Sequence, residues 1–113
     1  FDRGYAILDS KKKIKRISEK DKNPISTNST GCISYFKKAK EFFYFSNMMI
    51  ENKHKSANKK FMISLVYNEM IKENYNIRGY DCEFVASLGS ANSLRSFSEN
   101  CRLINYRTKK ICL

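Results

Sequence analysis

The spacing of the apolar residues changes near residue 38, and this change limits the fold more than any other feature of the sequence. Before it, residues 5–8 and 14–17 have the composition and alternation of short strands, and residues 9–12 between them are a predicted hairpin turn. Residues 31–36 are predicted to be a further strand that enters the core. Two-residue periodicity at the start thus predicts a small sheet.

Helical spacing governs much of the region that follows. An amphipathic helix is predicted from residue 38 to about residue 52, with a core face formed by Phe42, Phe43, Phe45, Met49 and Ile50. A second helix is predicted from residues that share one side at helical spacing: Ile63, Val66, Tyr67 and Met70. Short extended segments are predicted at residues 77–80 and 83–86, before a third helix with Ser90 as its N-cap and Leu94 and Phe97 on its buried side.

Interleaved strands and helices predict an α/β fold, a partial mixed sheet with flanking helices. We expect residues 1–100 to form one portion and residues 101–113 to be a loosely held basic tail. The strand number is small for a complete sheet, and open sheet edges adhere to other strands. A sheet of this kind therefore needs a partner layer, self-association through its exposed edges as a homo-oligomer, or cover from its own tail.

The chain is strongly basic, with 22 Lys and Arg residues against 11 Asp and Glu residues. Such a field attracts phosphates, nucleic acids and anionic surfaces, and a solvated lysine-rich surface accounts for the same composition. No apolar run approaches the roughly 20 residues that a membrane-spanning helix requires, so no membrane partner is expected. The start at Phe1 lacks an initiator Met and a leader pattern, which predicts a chain entered partway and not a secretory precursor.

Four cysteines are present, and no two have the close spacing that zinc sites use: Cys32, Cys82, Cys101 and Cys112. The one histidine, His54, lies far from all of them in the sequence. No metal site is predicted, and reduced thiols in a cytoplasmic protein are expected. A small secreted protein held by disulfides is the alternative that the even number leaves open.

Several short motifs carry a resemblance when they are taken in order. A predicted strand pair ends in Glu19-Lys20, a polar loop follows, and Ser29-Thr30-Gly31 precedes an aromatic segment. Residues 63–71 and the turn at residues 87–94 follow at fitting separations. Together, over about residues 5–97, these motifs resemble bacterial sugar-phosphate nucleotidylyltransferases of capsule and surface-polysaccharide biosynthesis.

The resemblance implies a fold and a set of binding residues. It implies that the chain forms the carboxy-terminal half of a nucleotidyltransferase-like domain of Rossmann type, similar to the glycosyltransferase-A fold. It implies that Glu19 accepts hydrogen bonds from sugar hydroxyls and that Lys20 neutralises the phosphate. Thr30 hydrogen-bonds the sugar in this scheme, and Gly31 lets the backbone approach it closely. Neighbouring strand residues point to opposite faces, so Glu19 and Lys20 reach one ligand only where the strand ends or bulges.

Nucleotidyl transfer needs a glycine-rich loop that cradles the triphosphate, together with carboxylates that hold Mg²⁺. The chain has four well-separated glycines: Gly4, Gly31, Gly79 and Gly89. No catalytic residue is therefore predicted, and Mg²⁺ and a nucleoside triphosphate are expected only with an amino-terminal half of the intact parent enzyme. Ser87 also replaces a metal-binding aspartate of better-studied members, and Lys60 stands where an acidic residue is often found.

The leading hypothesis is a truncated or partial nucleotidylyltransferase that binds a sugar phosphate and is inactive alone. Its intact form makes a nucleotide sugar and pyrophosphate. The alternative is a small basic binding module for nucleic acid or anionic surfaces. Against that alternative, the aromatic residues fall on predicted core positions and do not interleave with lysines on one exposed strand.

Overall fold

A computed structural model describes residues 3–31, 33–86 and 88–108 of the chain. Within these residues the elements are, in chain order, β1 (Gly4–Leu8), β2 (Ile14–Glu19), α1 (Ala39–Glu51), a 3-10 helix (Ile63–Leu65), α2 (Val66–Lys72) and α3 (Ala91–Thr108). The predicted mixed α/β class is confirmed. Cys32, Ser87 and Cys112, which the sequence analysis discussed, lie outside the described residues.

The contacts divide the chain into two compact units, Phe1–Asp81 and Cys82–Leu113. The first unit contains the hairpin, α1 and α2, and the second contains α3. The predicted boundary at residue 100 lies inside α3. In the second unit, the rings of Phe84 and Phe97 lie 6.3 Å apart between centroids.

The predicted hairpin is confirmed, and an aspartate organises its turn. Asp9 Oδ1 accepts hydrogen bonds from the backbone N–H groups of Lys11 and Lys13, each at 2.9 Å. Lys12 takes a left-handed backbone conformation, with φ 61°. The two strands are antiparallel, with Ala6 opposite Ile17, so the turn chemistry and the pairing agree.

The outer edge of β1 is covered by a polar segment of the following loop. The N–H of Ala6 donates to the carbonyl of Asn28, and the N–H of Thr30 donates to the carbonyl of Gly4, both at 2.9 Å. The predicted strand at residues 31–36 is wrong, since residues 33–36 form no regular strand and Ile33 is 87% exposed. Pairing along an edge depends on where the backbone runs, and here the polar residues before Gly31 run beside the hairpin.

The outer edge of β2 is covered by side chain and backbone together. At its start, the N–H of Ile14 donates to the carbonyl of Ile77 at 2.8 Å. In its middle, the buried amide of Asn68 on α2 accepts from the N–H of Ile17 at 2.8 Å and donates to the carbonyl of Ile17 at 2.7 Å. At its end, the N–H of Ala57 donates to the carbonyl of Glu19. Both edges of the hairpin thus have partners within the chain, while self-association stays a prediction.

The core of the first unit lies between the hairpin, α1 and α2. Its buried apolar residues are Ala6, Ile14, Ile17, Phe45, Met49, Leu65, Val66, Tyr67 and Met70. The predicted helix near residues 38–52 is confirmed, but its buried face is narrower than predicted, because Phe43 is 65% and Ile50 is 50% exposed. A two-stranded sheet and one short helix offer too little surface to cover a wider face.

The predicted helix N-cap at Ser90 is confirmed. Its hydroxyl oxygen accepts a hydrogen bond from the N–H of Ser93 at 3.2 Å, which satisfies one of the free donors at the start of α3. The helix continues to Thr108, beyond its predicted end. Leu94 is 52% exposed, so its predicted burial is wrong. In the described residues, no helix combines the length and apolar character needed to cross a membrane.

A tyrosine holds the irregular segment at residues 33–38 to the core. The hydroxyl of Tyr67 donates to the carbonyl of Tyr35 at 2.9 Å, and its ring stacks on Phe36 with 4.6 Å between centroids. Burial raises the pKa of Tyr67 above its ordinary value, so the hydroxyl keeps its proton and remains a donor well into alkaline conditions.

Replacing Asn68 tests whether α2 is needed to close the edge of β2. We expect Asn68→Ala to lower the free energy of unfolding by about 2–4 kcal/mol, because two buried backbone groups lose their partners at about 1–3 kcal/mol each. Chemical denaturation followed by circular dichroism measures the change. The control Asn47→Ala removes an exposed asparagine from α1 and should shift stability by less than about 0.5 kcal/mol. Equal losses in both variants contradict the role assigned to Asn68.

Candidate functional site

Glu19, the last residue of β2, places a carboxylate inside the first unit. The residue is 7% exposed, and its Oε1 accepts a hydrogen bond from the hydroxyl of Ser64, at the 3-10 helix. The carboxylate lies directly over Gly4 on the neighbouring strand, where a methyl group would come 2.6 Å from Cδ of Glu19. The absent side chain at Gly4 is what gives the carboxylate its room.

Thr30 approaches the same point from the loop segment that covers β1. Its Oγ1 lies 2.8 Å from the position that a methyl group at Gly4 would occupy, and its backbone N–H is bonded to Gly4. Two of the residues that the sequence predicted for binding, Glu19 and Thr30, therefore meet above one glycine. We refer to Gly4, Glu19, Thr30 and Ser64 as the Glu19 pocket.

Lys20 and Gly31 follow these two residues in the chain. Strand β2 ends at Glu19, and Lys20 turns into the left-handed region with φ 59° while its N–H donates to the carbonyl of Arg3 at 3.1 Å. The strand end that a shared ligand requires is therefore present. Gly31 is exposed immediately after Thr30. The described contacts bring Glu19 and Thr30 together, and they place Lys20 and Gly31 beside them in sequence only.

Gly4 and Ser64 were not predicted from the sequence to belong to this pocket. Ser64 lies within the motif at residues 63–71, but it is 45 residues from Glu19 and no local pattern joins the two. Gly4 gave no signal, because the need for a glycine arises from a carboxylate on the opposite strand. Only the hairpin pairing of Gly4 with Glu19 reveals it.

A second buried carboxylate lies on α2, in a different setting. Glu69 is 1% exposed and accepts from three side chains: Asn52 Nδ2 at 3.1 Å, His54 Nδ1 at 2.8 Å and Lys72 Nζ at 2.9 Å. Burial alone raises the pKa of Glu69, but the hydrogen bonds from Lys72, His54 and Asn52 outweigh it and bring the pKa below its ordinary value. Glu69 is thus ionised and ties the loop after α1 to α2.

A metal ion would need several side chains of the described residues to bind it together. Among the described residues, no group of three or more histidines, cysteines or acidic residues is placed to hold a metal ion. Cys82 and Cys101 are free thiols.

Comparisons with known proteins add no relative to this description. No family model, no curated protein and no solved structure matches the chain. The resemblance to nucleotidylyltransferases consequently depends on the sequence motifs alone, and the Rossmann-type assignment stays a prediction.

A side chain at Gly4 should disrupt the Glu19 pocket. We expect Gly4→Ala to lower the free energy of unfolding by about 1–3 kcal/mol, because the new methyl group overpacks the space held by the carboxylate and Thr30. Thermal and chemical unfolding measure this loss. The control Gly89→Ala, where a methyl group meets nothing within 4 Å in the described part of the chain, should change stability by less than about 1 kcal/mol. A neutral Gly4→Ala would show that the pocket is loosely packed.

Acid should weaken the link that Glu69 makes. Its pKa in the folded chain lies below the ordinary value of 4.5, so its stabilisation is fully present above that value and is lost as the pH falls through the folded-state pKa. We expect Glu69→Gln to lower the free energy of unfolding by about 1–3 kcal/mol at neutral pH and by less near pH 3. Denaturation at a series of pH values tests this. The control Glu73→Gln, at an exposed position just after α2, should leave the pH dependence unchanged.

Proposed function

We propose that this chain is the sugar-recognising portion of a nucleotidylyltransferase that acts on sugar phosphates for surface polysaccharide synthesis in the cytoplasm. In this proposal it forms the second half of a Rossmann-type domain, binds a sugar 1-phosphate and does not complete nucleotidyl transfer alone. The observation that carries the proposal is the buried carboxylate of Glu19, which meets Thr30 above Gly4.

The hydrogen bonding of Glu19 supports a ligand that carries hydroxyl groups. An ionised carboxylate offers about four acceptor positions. Among the residues that the structure describes, Ser64 is the one side chain that donates to it. The carboxylate is 7% exposed, and Ser64 occupies one of its acceptor positions, so it has capacity for further donors. Adjacent sugar hydroxyls supply such donors, and Thr30 offers a further polar contact.

The residue after the carboxylate supports recognition of the phosphate. Lys20 begins where the strand ends, and its left-handed backbone turns it away from the strand direction. A lysine next to a buried carboxylate in the chain suits a ligand with hydroxyl groups at one end and a phosphate at the other. Gly31, exposed beyond Thr30, leaves space for close approach of the sugar.

The distribution of glycines supports the proposal that this chain does not complete nucleotidyl transfer alone. A triphosphate cradle uses several neighbouring backbone N–H groups on a glycine-rich loop. Gly4 belongs to a strand and its carbonyl is bonded to Thr30, while Gly79 approaches the side chain of Leu8. Neither is free to form such a loop, so binding of a nucleoside triphosphate and of Mg²⁺ is left to an amino-terminal half.

One observation favours a second candidate, a basic module that binds nucleic acid. Phe43 was predicted from helical spacing to be a core residue, yet it is 65% exposed, and its neighbour Tyr44 is 61% exposed. They lie on α1 near Lys38 and Lys40, which gives exposed aromatic rings among lysines. Stacking on such rings, with affinity that falls steeply as salt rises, is the behaviour that this candidate requires.

Titration with hexose 1-phosphates tests the leading proposal. We expect glucose 1-phosphate, or another member of a panel of hexose 1-phosphates, to shift the amide signals of Gly4, Thr30 and Gly31 in a folded, isotope-labelled sample. Glu19→Gln should weaken this binding by about tenfold or more, since it removes a charged acceptor from hydrogen bonds worth about 1.5–3 kcal/mol each. The control Glu51→Gln, at the exposed end of α1, should bind as the unchanged chain does.

Two outcomes would contradict the proposal. Unchanged signals of Thr30 and Gly31 across the whole panel would show that the Glu19 pocket binds no sugar phosphate. Release of pyrophosphate by the purified chain with any nucleoside triphosphate would show that the chemistry does not need a second half. Tight, salt-sensitive binding of a single-stranded oligonucleotide, lost in a Phe43→Ala Tyr44→Ala variant, would favour the nucleic-acid candidate instead.

A further inference from the structure

A cleft of about 210 Å³ opens where the edge of β2 meets α2, away from the carboxylate of Glu19. Its walls combine strand, loop and helix residues: Lys15, Arg16, His54, Asn68, Ile71 and Lys72. Four of these six side chains are basic, which is a higher density than the chain shows as a whole. The concentration of cations in one concave place, and not the net charge, is the feature that needs an explanation.

The two acidic groups near the cleft do not balance its cations. Lys15 Nζ lies 3.4 Å from Asp9 Oδ2, and Lys72 Nζ lies 2.9 Å from Glu69 Oε1. The guanidinium of Arg16 is exposed and forms no hydrogen bond or ion pair with any residue that the structure describes. A guanidinium without a partner, beside two further cations, gives the cleft a positive field even after both ion pairs are counted.

The buried carboxylate of Glu69 fixes the histidine of the cleft. Because ionised Glu69 only accepts hydrogen bonds, the contact at 2.8 Å makes Nδ1 of His54 the donor. The other ring nitrogen, Nε2, is then the one that can serve a ligand, and it donates when the ring is protonated. The charged groups that surround the ring are Glu69 and Lys72 on α2 and Lys15 and Arg16 on β2.

The base of the cleft is rigid. Asn68 is 7% exposed, and its amide is fully engaged with the backbone of Ile17, so it holds β2 and α2 at a fixed separation. Arg16 therefore lies one residue and Lys15 two residues from the anchored Ile17, and Lys72 extends from the helix that anchors it. The cations of the cleft therefore stand on a strand and a helix that are hydrogen-bonded to each other, whereas most other lysines of the described chain lie in loops or at the ends of helices.

We propose that this cleft is a binding site for a phosphate-type dianion, such as the phosphate of a small phosphomonoester. Arg16 provides a planar fork that matches two phosphate oxygens, Lys15 and Lys72 provide point charges, and His54 adds a donor when protonated. The site is separate from the Glu19 pocket and does not depend on the proposed sugar recognition.

Titration with inorganic phosphate tests the proposal. Sulfate serves as a second dianion, whose charge is constant between pH 5 and pH 8. We expect affinity in the millimolar range, with signal changes concentrated at residues 15–17, at His54 and at residues 71–72. Arg16→Gln should weaken binding by about five- to tenfold, as loss of one charge-assisted contact implies. Sulfate should cause signal changes at the same residues, since it presents the same tetrahedral set of anionic oxygens.

Arg78→Gln is the matched control, because it removes the same charge from another exposed arginine near the hairpin. It should bind phosphate within about twofold of the unchanged chain. Glu19→Gln should also leave phosphate binding unchanged, which separates this site from the Glu19 pocket.

Three results would overturn the proposal. The first is no localised signal change with phosphate or sulfate in the folded chain. The second is an equal loss of affinity in Arg16→Gln and Arg78→Gln, which would identify a diffuse charge effect. The third is binding only to a short oligothymidylate, with both arginine variants affected alike, which would assign the cations to a polymer backbone and not to a single phosphate group.

Discussion

The paired hydrogen bonds between the Asn68 amide and the backbone of Ile17 hold the first unit together. A two-stranded sheet alone is marginal in water, because its outer edges leave backbone groups without partners. One side chain replaces a whole neighbouring strand at the centre of β2 and fixes α2 against the hairpin at the same time. The 3-10 helix that carries Ser64 precedes α2 directly, so the position of Ser64 beside Glu19 depends on the same anchor.

Local chemistry made much of the fold predictable from the sequence. An aspartate that accepts from two backbone N–H groups, a serine N-cap and a helical repeat of large apolar residues act within a few residues of the chain. The hairpin, α1 and the start of α3 are consequently where they were predicted. The strand predicted at residues 31–36 failed because its apolar residues, among them Ile33 and Tyr35, are exposed, while polar residues 28–30 supply the pairing.

The candidate sites were predictable only in part, for the same reason. Glu19 and Thr30 were identified through motifs, and the hairpin then explains why they meet above Gly4. The partners of Glu69 are spread from residue 52 to residue 72, and the basic cleft joins β2 with α2. Contacts between residues so far apart in the sequence depend on how the helices and strands pack. Amphipathic periodicity predicts which face of a helix is buried, but it does not predict which side chains that face contacts.

The bond between the Tyr67 hydroxyl and the carbonyl of Tyr35 has a mechanical consequence. The described residues 33–38 belong to no strand or helix, and the Tyr67 hydroxyl together with the stacked ring of Phe36 holds them to the core. Thr30 and Gly31 lie between the hairpin and Tyr35 in the sequence. Hydrogen bonds therefore tether this part of the chain on both sides, through the N–H of Thr30 at the hairpin and through the carbonyl of Tyr35 at the core.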